Sequence, residues 1–184
     1  MTGLLNDETS ILDVGCGEGS VDLLIQNAVP GLSIHGVDVL MWPKARIPVE
    51  KFDGHRLPFG DSRFDAVMLI DVLHHTDDPY VLLREAKRVA RTAILIKDHT
   101  MEGVMAYRTL RFMDWVGNAH HGVALPYNYW PEKQWRKAFT ALELDIEQWR
   151  PNLGLYPWPA SAVFERHLHF CARLASRRKN CVNL

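Results

Sequence analysis

Short apolar segments alternate along this chain with stretches in which apolar residues recur at helical spacing. Seven of the short segments predict strands, near residues 11–14, 33–39, 49–52, 64–70, 92–97, 144–149 and 163–172. Residues 64–70 are apolar on both faces, which is typical of a central strand in a parallel sheet. Because helical patterns lie between most of the strands, we expect an open α/β sheet with helices on both faces. The last two strands are joined by a loop without a helical pattern, which favours an antiparallel pair at the sheet edge.

The spacing of apolar residues also predicts which face each helix buries. The helix after the first strand is expected to bury Val21, Leu24, Ile25 and Ala28. Another helix is predicted over residues 101–116, with an apolar face made of Val104, Met105, Phe112 and Val116. A further helix opens at Pro131, and its regular amphipathic pattern leads straight into the sixth strand.

The first strand ends in a turn that is rich in glycine. Residues 11–20 read Ile-Leu-Asp-Val-Gly-Cys-Gly-Glu-Gly-Ser. The residues Gly15, Gly17 and Gly19 can adopt positive φ and let a ligand approach the backbone closely. The N–H groups that open the next helix suit a phosphate or a carboxylate. Ligands of such sheets lie beyond the carboxyl ends of the strands, so the turn indicates a nucleotide or ligand-carboxylate site.

Composition and charge narrow the class of protein. The 184 residues, 47% of them hydrophobic, predict one globular domain over residues 1–184. A formal net charge of −1 gives no electrostatic footprint for nucleic acid. Three distant cysteines, Cys16, Cys171 and Cys181, favour neither a disulfide framework nor a clustered zinc site, which indicates a reducing, cytoplasmic setting. No apolar run approaches the roughly 20 residues of a membrane span, so a soluble protein is expected.

Two segments together resemble a known family. The run at residues 12–19, Leu-Asp-Val-Gly-Cys-Gly-Glu-Gly, resembles the signature of class I S-adenosylmethionine-dependent methyltransferases. Residues 64–75, which end in Leu-His-His, and the helix around 84–89 resemble the small-molecule branch of that superfamily. The resemblance implies a Rossmann-like, doubly wound, mostly parallel seven-stranded sheet with an antiparallel edge strand. It also implies S-adenosylmethionine as the cofactor and a small-molecule acceptor as the substrate.

The resemblance assigns ten residues to the cofactor. These are Asp13, Gly15, Cys16, Gly17, Asp38, Val39, Asp53, Gly54, Ile70 and Asp71. Asp38 would accept hydrogen bonds from both ribose hydroxyls, since a carboxylate has two oxygens; the alternative is an exposed acid at a strand end. Asp53 would accept from the adenine amino group, or else form a local turn with Gly54. Asp13 would orient the glycine turn and the amino end of the methionine moiety.

Catalysis needs a base when the acceptor must lose a proton. His74 and His75 lie closest in sequence to the expected position of the methyl group, and we assign His75 as the candidate base or acceptor-orienting group. The alternative for His75 is a packing role. His99 and the pair His120 and His121 are further candidates. The pair lacks a second ligand cluster at metal-like spacing, so we predict no metal site.

Five aromatic residues fall in loops on the expected substrate side. They are Tyr127, Tyr129, Trp130, Tyr156 and Trp158. They would either line an aromatic pocket or fasten loops to the core, and the second arrangement is the usual one for loop aromatics.

The chain departs from the family pattern at its start. About ten residues precede the first strand, so the N-terminal helices that commonly cover the cofactor are largely absent. Three explanations stay open. The insert at residues 101–130 acts as a lid, a partner subunit of a homo-oligomer covers the site, or the chain is part of a longer protein.

Two other functions compete with methyl transfer. A nicotinamide-dependent oxidoreductase also has a glycine-rich turn, but its fingerprint places a glycine where this chain has Ser20. A non-catalytic protein that binds S-adenosylmethionine, or a scaffold, is the second alternative, and turnover would distinguish it.

Overall fold

The computed structural model describes residues 1–118 and 126–176. Within these ranges, the strands are β1 (Ser10–Val14), β2 (Ser33–Asp38), β3 (Val49–Lys51), β4 (Phe64–Ile70), β5 (Ala90–His99), β6 (Leu144–Arg150) and β7 (His169–Ser176). The helices are α1 (Ser20–Ala28), α2 (Pro79–Val89), α3 (Ala106–Asn118), α4 (Glu132–Ala141) and α5 (Ser161–Phe164). Short 3-10 turns occupy Thr2–Leu4 and Leu73–His75.

The described strands form one sheet in the order β3-β2-β1-β4-β5-β7-β6. The first five strands pair in parallel, and β7 runs antiparallel to both β5 and β6. The predicted Rossmann-like fold and its antiparallel pair at the edge are therefore confirmed. The reversed strand, β7, lies between β5 and β6. Strand order changes direction between β1 and β4, which is where sheets of this kind bind ligands.

Burial in the centre of the sheet follows the apolar runs of the sequence. Val67 and Leu69 of β4 pack on one face of the sheet, and Ala66 and Met68 pack on the other. Helix α2 begins as its sequence predicts, because the Asp78 carboxylate accepts from Tyr80 N at 2.9 Å. Within the described residues, no helix combines the length and the apolar character that crossing a membrane requires.

The predicted buried face of α1 is confirmed at Ile25 and wrong at Val21, Leu24 and Ala28. Val21 and Leu24 are 49% and 70% exposed, whereas Asp22 and Ile25 are buried. Helix α1 follows the glycine turn with Asp22 directed toward Asp13 of β1, and the two carboxyl groups interact. The buried face of this helix therefore includes a carboxyl group that its apolar pattern does not indicate.

The predicted face of α3 is also wrong. The helix begins at Ala106 rather than near residue 101, and it buries Ala106, Leu110 and Asp114. The residues predicted to be buried are exposed instead, and Val104 reaches 87%. Asp114 turns inward because it contacts two buried histidines and Tyr129, and this leaves the apolar side chains on the outer face.

The last predicted strand begins six residues too early. Helix α5 and the loop after it occupy the start of that segment, and β7 starts at His169, which pairs with His99. Glu165 explains the difference, because its carboxylate accepts backbone hydrogen bonds from the loop at residues 153–156. These hydrogen bonds fix the loop at residues 153–156 beside Glu165, and the strand begins only after this segment.

Candidate functional site

The turn between β1 and α1 presents backbone rather than side chains at the end of the sheet. Gly15, Gly17 and Gly19 have φ angles of +76°, +58° and +78°. A Cβ atom on Gly15 would lie 2.5 Å from Cγ2 of Val72, so both the conformation and the space require glycine there. The amides of Gly15 and Cys16 donate to Val37 O, at 2.7 and 3.3 Å, which fixes the turn against β2.

A cavity of about 940 Å³ opens beside this turn. Its walls also include the end of β2, the loops that follow β2, β3 and β4, and the start of α2. Among the predicted site residues, those in the wall are Gly15, Gly17, Asp38, Val39, Asp53, Gly54, Asp71 and His75. Ligand pockets typically measure about 300–1,000 Å³, so this cavity has room for a nucleoside-sized ligand and a second small molecule.

Asp38 is the buried last residue of β2 and lies in the cavity wall. Its Oδ2 accepts from Gly17 N and its Oδ1 accepts from Leu40 N, each at 2.8 Å. Each carboxylate oxygen has about two lone-pair sites, so each can accept a further hydrogen bond. Asp38 therefore holds the glycine turn and retains acceptors for two hydroxyl groups of a ligand.

Asp53 forms a local turn and also lines the cavity. Its Oδ1 accepts from Arg56 N and His55 N, both at 2.8 Å, and these bonds lower the pKa of the Asp53 carboxyl. Gly54 follows with φ of +82°. The turn that the sequence offered as the alternative is thus present. The predicted contact to adenine stays a prediction for the remaining acceptor sites of this carboxylate.

Three predicted cofactor residues are not among those that line the cavity: Asp13, Cys16 and Ile70. Burial and the charge of Asp22 raise the pKa of Asp13 well above its usual range. Burial likewise raises the pKa of the Cys16 thiol far above its usual range, so this thiol stays protonated.

Gly36 and Cys16 provide a test of the packing under the glycine turn. A Cβ atom on Gly36 would lie 2.4 Å from Sγ of Cys16. We expect Gly36→Ala to lower the free energy of unfolding by about 1–3 kcal/mol, because overpacking forces neighbours to move. Urea denaturation measures the change. Adding Cys16→Ala should restore most of the loss, and Cys16→Ala alone is the control. A double variant as unstable as Gly36→Ala would contradict this packing.

His75 lies in the cavity wall, in the 3-10 turn after β4. Burial lowers the pKa of His75 to about 4, and the neighbouring charge of His74 acts in the same direction. The ring is therefore neutral at pH 7. Its Nδ1 is buried and has no hydrogen-bond partner among the residues that the structure describes. A neutral imidazole in a cavity wall can accept a proton from a ligand or orient it.

Comparison with known proteins agrees with this geometry. Residues 12–93 match a family model described as a methyltransferase domain. The matched segment runs from β1 through the glycine turn, Asp38, Asp53 and His75 to β5. Residues 12–93 therefore resemble a methyltransferase domain. S-Adenosylmethionine is the cofactor of this family, as the sequence resemblance predicted.

Two curated relatives match part of the chain. The 27-O-demethylrifamycin SV methyltransferase of Amycolatopsis mediterranei is 34% identical over 93 residues, which cover 44% of this chain and 34% of the relative. The tRNA U34 carboxymethyltransferase of Campylobacter curvus is 30% identical over 92 residues, which cover 44% of this chain and 30% of the relative. The match thus spans about a third of the length of these relatives. Their names refer to different acceptors, a rifamycin and a tRNA.

A solved structure shows the same fold over nearly the whole chain. The S-adenosylmethionine-dependent methyltransferase of Methanosarcina mazei superposes with a TM-score of 0.67 and covers 95% of each chain, at 18% identity. At this identity the likeness supports the fold of the methyltransferase domain.

Next to His75 the structure contains a buried cluster that sequence reasoning did not assemble. The Nδ1 of His74 lies 2.6 Å from Oδ1 of Asp98, and its Nε2 lies 3.4 Å from Oδ1 of Asp114. Burial alone would lower the pKa of His74, but the two carboxylates outweigh it and raise the pKa to about 10. Tyr129 donates its hydroxyl hydrogen to the other oxygen of Asp114.

A signal for this cluster was present in the sequence. Lys97, Asp98 and His99 are three polar residues in a row at the end of an apolar strand. The sequence did not indicate a role for Asp114, because the hydropathy pattern placed this residue on the solvent face of its helix. Its partners come from β4, β5 and the segment before α4, which are distant in sequence.

The loop aromatics lie outside the wall of the large cavity. Tyr129 and Trp130 are buried, and Trp130 Nε1 donates to Asn128 Oδ1 at 3.1 Å. These two therefore fasten their loop to the core, as the alternative interpretation proposed. Trp158 is 82% exposed. His120 and His121 lie outside the described residues.

Proposed function

We propose that this chain transfers a methyl group from S-adenosylmethionine to a small-molecule acceptor. The proposal rests on one observation: Asp38 and the glycine turn, which presents backbone without side chains, lie in the same cavity wall. Both belong to the segment that matches methyltransferase domains. This wall lies where the strand order reverses, which is the expected place for a nucleotide ligand.

The residues of the cavity fit this cofactor. Asp38 would accept from the ribose hydroxyls, and Gly15 and Gly17 leave room for close approach to the backbone. The apolar side chains of Val39 and Phe52 lie in the wall near Asp53 and suit the adenine ring. When bound, S-adenosylmethionine supplies an electrophilic methyl group on a sulfonium. The chain's own contribution is to position both reactants, which can be worth roughly 7–11 kcal/mol.

The acceptor would occupy the part of the cavity beyond Asp71. This part mixes apolar and polar side chains, listed here in chain order: Val72, His75, Thr76, Asp77, Val81, Leu82 and Pro126. His75 is neutral and would take a proton from an oxygen or nitrogen acceptor, or orient it. Pro126 belongs to the predicted lid at residues 101–130, and its place in the wall supports a lid function for that segment.

Binding and turnover separate this proposal from its two alternatives. Isothermal titration calorimetry should show binding of S-adenosylmethionine and S-adenosylhomocysteine, and no binding of NADH or NADPH. Incubation with a broad panel of hydroxyl, amine, thiol and carbon acceptors should then release S-adenosylhomocysteine. Binding of the nicotinamide cofactors alone would contradict the proposal. Tight binding of S-adenosylmethionine without turnover on any acceptor would favour the non-catalytic role.

A further inference from the structure

The outer face of helix α3 is apolar and basic. Arg108, Arg111, Phe112, Trp115 and Val116 follow one another at i, i+3, i+4, i+7 and i+8, so they share one side of the helix, and all five are exposed. Phe112, Trp115 and Val116 are each more than half accessible to solvent. Helices at a protein surface normally present charged and polar residues to water. These five residues, the outer face of α3, therefore suit a partner that takes up apolar side chains.

More apolar side chains are exposed beside this face. Val104, shortly before α3, is 87% exposed, and Met105 is more than half exposed. Arg166 Nη2 donates to Thr109 Oγ1 at 3.2 Å, which places the segment after α5 against α3. Trp158, just before α5, is exposed as well. Single exposed apolar residues are ordinary, whereas a group of them on adjoining elements marks a recognition surface.

The positive charge of this surface is not neutralised by neighbouring acids. Arg108, Arg111 and Arg166 form no ion pair with a carboxylate among the residues that the structure describes. The one acid of α3, Asp114, is buried on the inner side of the helix. Arg111 Cζ lies 4.8 Å from the centre of the Tyr127 ring, which orients this guanidinium group. Since the whole chain carries a formal net charge of −1, the excess of positive charge is local to this surface and complements an anionic partner.

The basic and apolar groups meet in an open depression of about 300 Å³. Its lining includes Arg108, Arg111, Phe112, Trp115 and Tyr127. Guanidinium groups donate hydrogen bonds to phosphate oxygens, and aromatic rings bury large apolar areas while tolerating a wet, polar edge. An anionic phospholipid offers both a phosphate and hydrocarbon chains. The depression therefore matches the chemistry of a lipid surface.

We propose that the outer face of α3 binds the surface of a bilayer that contains anionic phospholipids. Phe112, Trp115 and Val116 would enter the boundary between headgroups and acyl chains, as the apolar faces of interfacial helices do. Arg108 and Arg111 would lie at the level of the phosphates, where each basic residue adds to the attraction of an anionic surface. Binding of this kind needs no helix that crosses the membrane.

Charge and exposure favour a bilayer over another protein. In a two-fold dimer the same patch lies on both copies, so the arginines of one copy would face those of the other without a carboxylate of the patch between them. A different protein would need a fitted pocket for each projecting side chain, because protein interfaces pack as densely as protein interiors. A bilayer takes up Val104 and Trp115 without a complementary shape.

Binding of α3 to a bilayer would bring lipids close to the large cavity. Tyr127 lines the depression, and the preceding residue, Pro126, lines the large cavity. A lipid-soluble acceptor would then reach the cavity from the membrane. This consequence rests on the proposed methyl transfer, whereas binding to the bilayer does not. The test therefore uses vesicles alone, without S-adenosylmethionine or an acceptor.

The experiment centrifuges the full chain with vesicles and measures the protein in the pellet. We expect the chain to sediment with vesicles of phosphatidylcholine and phosphatidylglycerol, and to stay in the supernatant without vesicles. Each arginine near an anionic surface contributes about fivefold in affinity, so vesicles of phosphatidylcholine alone should bind about 30-fold more weakly. Added salt should release the chain from the anionic vesicles, because it screens the charges.

Variants of exposed residues test the face without disturbing the core. The double variant Arg108→Gln and Arg111→Gln should bind anionic vesicles about 30-fold more weakly. Trp115→Ser should lose about 10–100-fold, because a large apolar side chain stays in water. Arg108→Lys with Arg111→Lys keeps the charge and should retain most of the binding. Arg63→Gln and Leu24→Ser are the matched controls, since both residues are exposed in other elements, and these variants should bind as the wild type does.

Four results would overturn the proposal. The first is a wild type that does not sediment with anionic vesicles, and the second is a folded glutamine or serine variant that sediments as the wild type does. The third is a lysine variant that loses as much binding as the glutamine variant, because a surface potential acts on charge. The fourth comes from gel filtration with light scattering, where a dimer that Trp115→Ser dissociates would assign the face to a second copy. Melting temperatures verify folding, and failure of methyl transfer would leave the vesicle result intact.

Discussion

Asp38→Ala is expected to weaken the binding of S-adenosylmethionine by about 10²–10⁴-fold and to leave the chain folded. Hydrogen bonds to a charged group contribute about 1.5–3 kcal/mol each, and the variant would lose the two that we propose Asp38 accepts from the ribose hydroxyls. It also frees the amide of Gly17, which Asp38 holds at 2.8 Å. The glycine turn then becomes less well ordered, and this adds to the loss. Isothermal titration calorimetry measures the affinity, and circular dichroism verifies the fold.

Two further variants show whether the effect comes from the carboxylate itself. Asp38→Asn keeps one side-chain acceptor oxygen, so its loss of affinity should be intermediate. Asp7→Ala removes an exposed acid that is not part of the cavity wall, and it should bind as the wild type does. Unchanged affinity of Asp38→Ala would remove this residue from the cofactor site. Equal losses in Asp38→Ala and Asp7→Ala would indicate a general effect of charge.

His75→Ala is expected to lower turnover by about 10²–10⁴-fold for an acceptor that must lose a proton, which is the usual contribution of a positioned general base. Affinity for S-adenosylmethionine should change little, because we propose that the acceptor, rather than the cofactor, lies beside His75. The ring is neutral and lies in the cavity wall, as a general base requires. The measurement is the rate of S-adenosylhomocysteine release with an acceptor found in the panel, together with the calorimetric affinity.

The control for His75 is another half-buried histidine. His35→Ala removes a ring that packs against Phe59 and Phe64 on the opposite side of β1 from β4, and it should retain the wild-type rate. A wild-type rate in His75→Ala would return His75 to a packing role. Parallel losses of turnover and cofactor affinity would mean that the ring supports the cavity wall as a whole.

The backbone of the site follows from local sequence. Gly15 has a positive φ, and Val72 lies where it would clash with a Cβ atom. Only glycine fits this position, so the residue type itself indicates the turn. The acids Asp38 and Asp53 follow short β strands, and their place beside the turn follows from parallel pairing of those strands. Apolar runs determine which strands are central, because a strand that is buried on both faces excludes polar residues.

Tertiary contacts decided which faces of α1 and α3 turn inward. In both helices the buried face includes a carboxyl group, Asp22 or Asp114, that the apolar stripe does not indicate. Asp22 lies beside the buried Asp13, and Asp114 contacts His74 and His99. A hydropathy pattern reflects the affinity of each residue for water, and it contains no information about a partner that is distant in sequence. The sequence by itself therefore determined the sheet, the glycine turn and the acids beside it. Only the tertiary structure brought His74, His99 and Asp114 together, since a cluster built from three separate elements depends on how those elements pack.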